Sequence, residues 1–181
     1  MSQTGENTLE LAKIITSVKG GDEQAFRRLF DYLHGRVFGY CMSRAQSREE
    51  ALDLTQDIFI DLWQAMPRFR YKSDGEFYSF VFLIARRKLA KHWRKKRPVV
   101  EWDERYVQTN YTLDFETYGP LLRWVQQLKP KYQEVIKLRY WSQLSFGEIS
   151  AILKIKEGTA KVWHLRAVKR LQILSDKYEQ D

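Results

Sequence analysis

The chain is expected to be all-α, with two small helical domains joined by an acidic linker, and three observations predict this. Apolar residues recur at steps of three and four along almost the whole length, the period that gives a helix one apolar face. Only four prolines and nine glycines interrupt that pattern, and no long run alternates apolar with polar residues as a half-buried strand would. Charge then divides the chain in three: residues 1–97 carry 18 basic and 12 acidic side chains, residues 98–118 carry 1 and 5, and residues 119–181 carry 12 and 6. Two blocks of +6 flank a bridge of −4.

Composition narrows the function class. A total charge of +8 and a pI near 9.5 point to a polyanionic partner. With 44% hydrophobic residues the chain can build real cores, which excludes global disorder. Cys41 is the only cysteine. It allows neither an intrachain disulfide nor a cysteine-rich zinc site, and it reads as a buried apolar filler in a reducing compartment. His34, His92 and His164 are too few and too scattered for a metal site, so neither metal nor cofactor is expected. The opening MSQTGENTLE lacks the basic and then apolar order of a secretion signal, and no apolar run approaches the roughly 20 residues that span a bilayer. A soluble cytoplasmic protein is expected.

Taken in order, a short helix over 9–18 ends at Gly20-Gly21, and Asp22 supplies the N-cap of the next. Phe26, Leu29, Phe30 and Leu33 mark that second helix, continued past Gly35 by Val37, Phe38, Cys41 and Met42. A third shares Ala51, Leu52, Thr55, Ile58, Phe59, Leu62, Trp63 and Met66 on one face until Pro67 stops it. On its other side Glu49, Asp53, Asp57 and Asp61 fall at steps of four, where each like-charge pair costs an isolated helix a few tenths of a kcal/mol. Local stability does not explain this stripe. A basic partner would, and so would a merely solvated face.

Residues 68–76 form a polar turn with Ser73-Asp74-Gly75 at its tip, which delivers the chain into a helix over 77–97. Phe77, Phe80, Val81, Ile84, Ala85, Leu89 and Trp93 give that helix its apolar face. Arg86, Arg87, Lys88, Lys91, Arg94, Lys95, Lys96 and Arg97 are eight cations with no acid among them. Tyr78, Phe82 and Trp93 interleave with them, and rings among basic residues can hold unstacked bases as well as backbone. A basic face over an ordinary core is the alternative. Pro98 ends the helix, and residues 99–118 lose periodicity as a tether does.

Beyond Gly119, a helix carries Leu121, Leu122, Trp124, Val125 and Leu128, and Pro130 opens another with Val135, Ile136, Leu138 and Tyr140. Ser145 and Glu148 then have the S-x-x-E spacing of a capping box, in which each side chain satisfies an orphan backbone donor of the other residue. A short helix over 146–153, a turn over 154–158 and a longer helix over 159–174 follow. The last buries Ala160, Ala167 and Leu171 and exposes Lys161, His164, Arg166, Lys169 and Arg170, while Trp163 serves either core or contact. This is the pattern of a helix-turn-helix, whose second helix enters the major groove.

With both halves read, the chain resembles an extracytoplasmic-function (ECF) sigma factor, a compact promoter-specificity subunit of bacterial RNA polymerase. The resemblance runs through GDEQAFRRLF, ALDLTQDIFIDLW, RFR and FVFLIARRKLAKHWRKKR in one half and LKPKYQEVIKLRYWSQLSFGEISAILKIKEGTAKVWHLRAVKRL in the other. It implies a sigma region 2 over 1–97, an acidic linker over 98–118 and a sigma region 4 over 119–181. By motif position Asp53, Leu54, Gln56 and Asp57 bind core RNA polymerase, and Ser73, Asp74, Phe77, Arg86, Arg87, Lys91 and Arg94 take the melted non-template strand of the minus-ten element. Thr159, Lys161, Val162, Leu165, Arg166 and Lys169 read the minus-thirty-five element as duplex. An anti-sigma factor is a possible further partner, and no catalytic activity is implied.

Departures from the family pattern fall at readable places. Arg87 and Lys91 stand where Asn and Asp are usual, so phosphate attraction rises. Lys154-Ile155-Lys156 replaces a common Gly-Ile-Pro turn, and a positive φ at Lys154 would cost roughly 1 kcal/mol relative to glycine. Two other functions remain open. A stand-alone helix-turn-helix regulator leaves Asp53, Asp57 and the 77–97 helix unexplained. A recombinase would need a Ser or Tyr nucleophile among clustered arginines, which nothing here resembles.

Overall fold

The computed structural model describes residues 3–96 and 119–178; the expected tether and Pro98 lie outside them. All the described elements are helical. α1 spans Gln3–Lys19 and starts before the periodicity does, because residues 3–8 offer no apolar side chain to mark it. Gly21 turns the chain at a φ of 86°. Asp22 then caps α2, Glu23–Met42, by accepting from the Ala25 amide at 3.0 Å, as its side chain predicts.

Ser47 caps α3, Arg48–Ala65, accepting from the Glu50 amide at 3.1 Å. Pro67 converts its end into a 3₁₀ turn, Met66–Arg68, and α4 spans Asp74–Lys96. The tip expected as a turn at Ser73-Asp74-Gly75 is therefore the first turn of α4. Its cap is Ser73, whose hydroxyl accepts from the Glu76 amide at 3.2 Å. Ser73 and Glu76 have the same spacing as Ser145 and Glu148, a signal present in the sequence and missed beside the glycine.

The other half is α5, Gly119–Gln126, α6, Pro130–Tyr140, α7, Phe146–Leu153, and α8, Glu157–Tyr178. The capping box forms as predicted: the Ser145 amide donates to Glu148 at 2.6 Å and the Glu148 amide to Ser145 at 3.2 Å. Lys154 ends α7 in the left-handed region at φ 54° and ψ 46°, a conformation in which its Cβ crowds the backbone. Lys154→Gly is expected to raise stability by about 1 kcal/mol. Thermal unfolding would show that as a midpoint rise of about 2–4 °C, whereas Lys154→Ala, which keeps the Cβ, would give none of it.

The two halves share a core. Ile15, Leu29, Leu33, Ile58, Leu62, Phe77, Val81 and Phe82 belong to one buried cluster with Leu122, Val135, Leu138, Ile149 and Ala160. A smaller cluster of Val125, Leu128, Tyr132, Ile136 and Ala167 holds α8 to α5 and α6. Cys41 is fully buried, where burial raises its thiol pKa to about 11; it is the filler expected.

Candidate nucleic-acid interface

The acidic stripe of α3 lies open for part of its length. Asp53 and Gln56 are exposed, whereas Asp57 and Asp61 share a cation of their own chain: Lys88 on α4 sits 2.8 Å from Asp61 and 3.7 Å from Asp57. Leu54 is 2% exposed. Expected as a polymerase contact, it packs into the core, and the same register that turns Asp53 and Asp57 outward turns Leu54 inward. Beside the stripe lies an apolar cleft of about 440 Å³ lined by Phe26, Phe30, Gln56, Phe59, Ile60 and Trp63. Ile60 is 55% exposed at its edge. Sequence reading missed the cleft, although an apolar Ile60 on the acidic side of the helix was its signal.

On α4 the cations and the rings separate. Arg86, Arg87, Lys91 and Arg94 are exposed, one stripe along the helix, with Ser73 exposed and Asp74 half-buried at its start. The aromatic rings face the other way. Tyr78 and Phe82 are each 2% exposed and Trp93 is 6% exposed, so these rings form the core and are not a platform for bases. Tyr78 bonds the Tyr32 hydroxyl at 2.8 Å; burial first, then that bond, raise its phenol pKa far above normal, so it stays neutral. Phe82 stands edge-on to Tyr40. Phe77, expected at a base pocket, is fully buried in the DNA-free chain and packs beside Phe69. The apolar period places a residue on the inner face without saying how completely neighbouring helices cover it.

On α8 the expected residues share an outer surface. Lys161, Val162, Leu165, Arg166 and Lys169 are exposed, and Thr159 is half-buried at its start. Val162 and Leu165 are 43% and 56% exposed, apolar side chains suited to a thymine methyl among cations suited to phosphate and guanine. Trp163 resolves toward core: it packs against both clusters, with the Lys131 ammonium over its ring. Arg166 reaches back to Tyr132, and that hydrogen bond, with Lys131 and Arg170 nearby, lowers the phenol pKa.

The histidines sit apart. His92 pairs with Glu50 at 2.7 Å, His164 with the Tyr140 hydroxyl at 3.0 Å, and His34 stacks on Phe38. Among the described residues no group of three or more His, Cys, Asp or Glu could hold a metal ion, and no helix is long and apolar enough to cross a membrane.

Comparison with known proteins matches this geometry to a family. The family model for Sigma-70 region 2 matches residues 29–99 and that for Sigma-70 region 4 matches residues 118–171. The chain is 26% identical over 174 residues to the ECF RNA polymerase sigma factor BldN of Streptomyces coelicolor, covering 91% of this chain and 66% of BldN. It is 26% identical over 168 residues to ECF sigma factor SigW of Bacillus subtilis, covering 83% of this chain and 89% of SigW. The chain thus spans about two thirds of the first relative and most of the second. Among solved structures, CnrH in complex with the cytosolic domain of CnrY shares the fold, with a TM-score of 0.69 and 19% identity over 91% of this chain and 96% of that one. Bartonella quintana RpoE, solved with the anti-sigma factor NepR, gives a TM-score of 0.59 and 21% identity over 83% and 96%. Two matched regions in the order and spacing of the sequence motifs, carrying an acidic stripe and two outward cationic helices, make the chain a member of the extracytoplasmic-function sigma factors of RNA polymerase.

Proposed function

We propose that residues 1–97 bind core RNA polymerase and open the minus-ten element, that residues 119–181 read the minus-thirty-five element as duplex, and that 98–118 connect them. The observation that carries this reading is the separation of three surfaces: acid beside an apolar cleft on α3, and exposed cations on α4 and on α8. Asp53, Gln56 and Asp57 suit a basic helix of the polymerase, and an apolar side chain of that helix fits the cleft edged by Ile60. Arg86, Arg87, Lys91 and Arg94 follow the backbone of the melted non-template strand, with Ser73 and Asp74 at the end where a base is drawn out. Unpairing a base costs a few kcal/mol, and with Phe77, Tyr78 and Phe82 buried it must come from phosphate contacts and from the polymerase itself.

RNA synthesis belongs to the core enzyme in this reading, and the chain contributes promoter recognition and strand opening. A protein inhibitor of the anti-sigma class is a further partner for the same surfaces. The test is transcription by purified core polymerase on a promoter library: the chain should direct starts at sites core cannot use unaided, and their absence would sink the reading. A stand-alone regulator would instead bind duplex tightly and fail to bind core in a pull-down.

Arg166 gives a second expected result. Bidentate to guanine, an arginine discriminates by about 1–3 kcal/mol, so Arg166→Ala should lower transcription about tenfold or more from promoters with an intact upstream element. On promoters whose upstream element is scrambled it should change little. An equal loss on both would mean that Arg166 contacts only phosphate.

A further inference from the structure

α8 opens on a residue of the wrong sign for DNA. Glu157, expected within the turn over 154–158, is the first residue of the helix, and its side chain is 50% exposed at the end of a recognition helix that meets base edges. Its Oε1 lies 2.7 Å from the Lys161 ammonium, one turn on. An exposed pair at this spacing stabilises a helix only slightly, while a carboxylate facing duplex DNA is repelled by the phosphates around it. The other oxygen, Oε2, has no hydrogen-bond or ion-pair partner among the described residues. It stands 3.8 Å from where a Gly147 Cβ would be, and a Cβ on Gly158 would meet nothing within 4 Å. Neither glycine takes a positive φ, and glycine weakens a helix relative to alanine, so backbone conformation calls for neither. Together they leave the carboxylate standing clear, where the edge of a base pair can approach it.

The ion pair has the polarity of one such edge. In the major groove a C·G pair shows the cytosine N4 donor beside the guanine O6 and N7 acceptors, and N4 and O6, partners in one hydrogen bond, are about 2.9 Å apart. A carboxylate 2.7 Å from an ammonium sets an acceptor beside donors at nearly the same spacing. We propose that Glu157 and Lys161 read a C·G pair of the upstream element as a unit, Glu157 accepting from cytosine N4 through its free oxygen and Lys161 donating to guanine. An A·T pair also sets a donor beside an acceptor, but it turns adenine N7 toward the carboxylate and the thymine methyl toward the ammonium. The two reversed orientations bring guanine O6 or thymine O4 against the carboxylate, acceptor to acceptor. On unrelated DNA the pair works the other way, because a lysine already neutralised grips phosphate less well than a free one. The inference rests on the duplex reading by α8 above and deepens it, adding Glu157 as a residue that specifies sequence where Lys161 alone would hold any phosphate.

The test is binding of core polymerase carrying the full chain to a promoter pool with its minus-ten element fixed and its upstream element randomised. At one upstream position the wild type should take C·G about tenfold over the other three pairs. Glu157→Ala should level that position to within about twofold, keep the preferences elsewhere, and bind scrambled elements more tightly, with a salt slope steeper by about one for the uncovered Lys161. Exchanging the two residues, Glu157→Lys with Lys161→Glu, keeps an ion pair but reverses its polarity, so the preference should turn to G·C. An unchanged profile for Glu157→Ala, the same loss on every sequence, or an exchanged chain that still selects C·G overturns the proposal and leaves the pair as a stabiliser of the first turn. A wild-type complex that favours no pair at any upstream position overturns the duplex reading with it, whereas preferences that ignore Glu157 overturn this inference alone.

Discussion

Replacing Asp53 and Asp57 together by Lys is expected to abolish polymerase-dependent transcription, by on the order of 100-fold or more, with the thermal midpoint within about 2 °C of wild type. Both carboxylates point outward from α3, so reversal leaves the core untouched. Lys88 keeps Asp61 at 2.8 Å when Asp57 is lost. Against a basic helix the reversal turns two attractions into two repulsions, and like charges across an interface cost several kcal/mol, which is two or more decades of affinity. Pull-down on core polymerase and thermal unfolding of the same preparation read the two halves of this expectation. Undiminished core binding would move the polymerase surface elsewhere. Loss of binding accompanied by a large fall in stability would show that Asp57 acts through Lys88.

The contrast between Asp53 and Leu54 shows what a sequence carries. Local rules were readable because their causes are local. Asp22 and the Ser145/Glu148 box bond amides within a turn of themselves, Pro130 opens its helix through its own fixed φ, and each stands where it was expected. The outer residues of α8 were readable for a related reason, since helical spacing fixes which side chains share a face. Ser73 escaped because Gly75 follows it and a glycine suggests a turn, although Glu76 completes the capping spacing. Burial depth was not readable. Leu54 and Phe77 lie on apolar faces, and spacing alone does not say how completely packing covers each one. The seam between the two halves was the least readable of all: nothing near Gly39 says that the Trp141 carbonyl will occupy the space of its missing side chain, and nothing near Arg44 names Glu134, ninety positions away.

Phe77 separates packing from base contact by its second expected result. As a fully buried ring against Phe69, Phe77→Ala should remove about 3–5 kcal/mol of stability, a fall in thermal midpoint on the order of 10 °C. Phe77→Leu keeps most of the apolar volume and should lose far less. If Phe77 does not touch the melted strand, Phe77→Leu assayed below its unfolding transition should open promoter DNA as wild type does, read by the reactivity of unpaired thymines around the start site. Ser73→Ala with Asp74→Ala gives the opposite pattern: opening is lost, while only the end of α4 loosens, by about 1 kcal/mol for the missing cap. A stable Phe77→Leu chain that binds polymerase and the upstream element but leaves the strands paired would return Phe77 to the strand-opening surface. The first turn of α4 would then have to swing its buried ring outward on DNA, which the contact of Gly75 with Ala151 permits only after α7 has left.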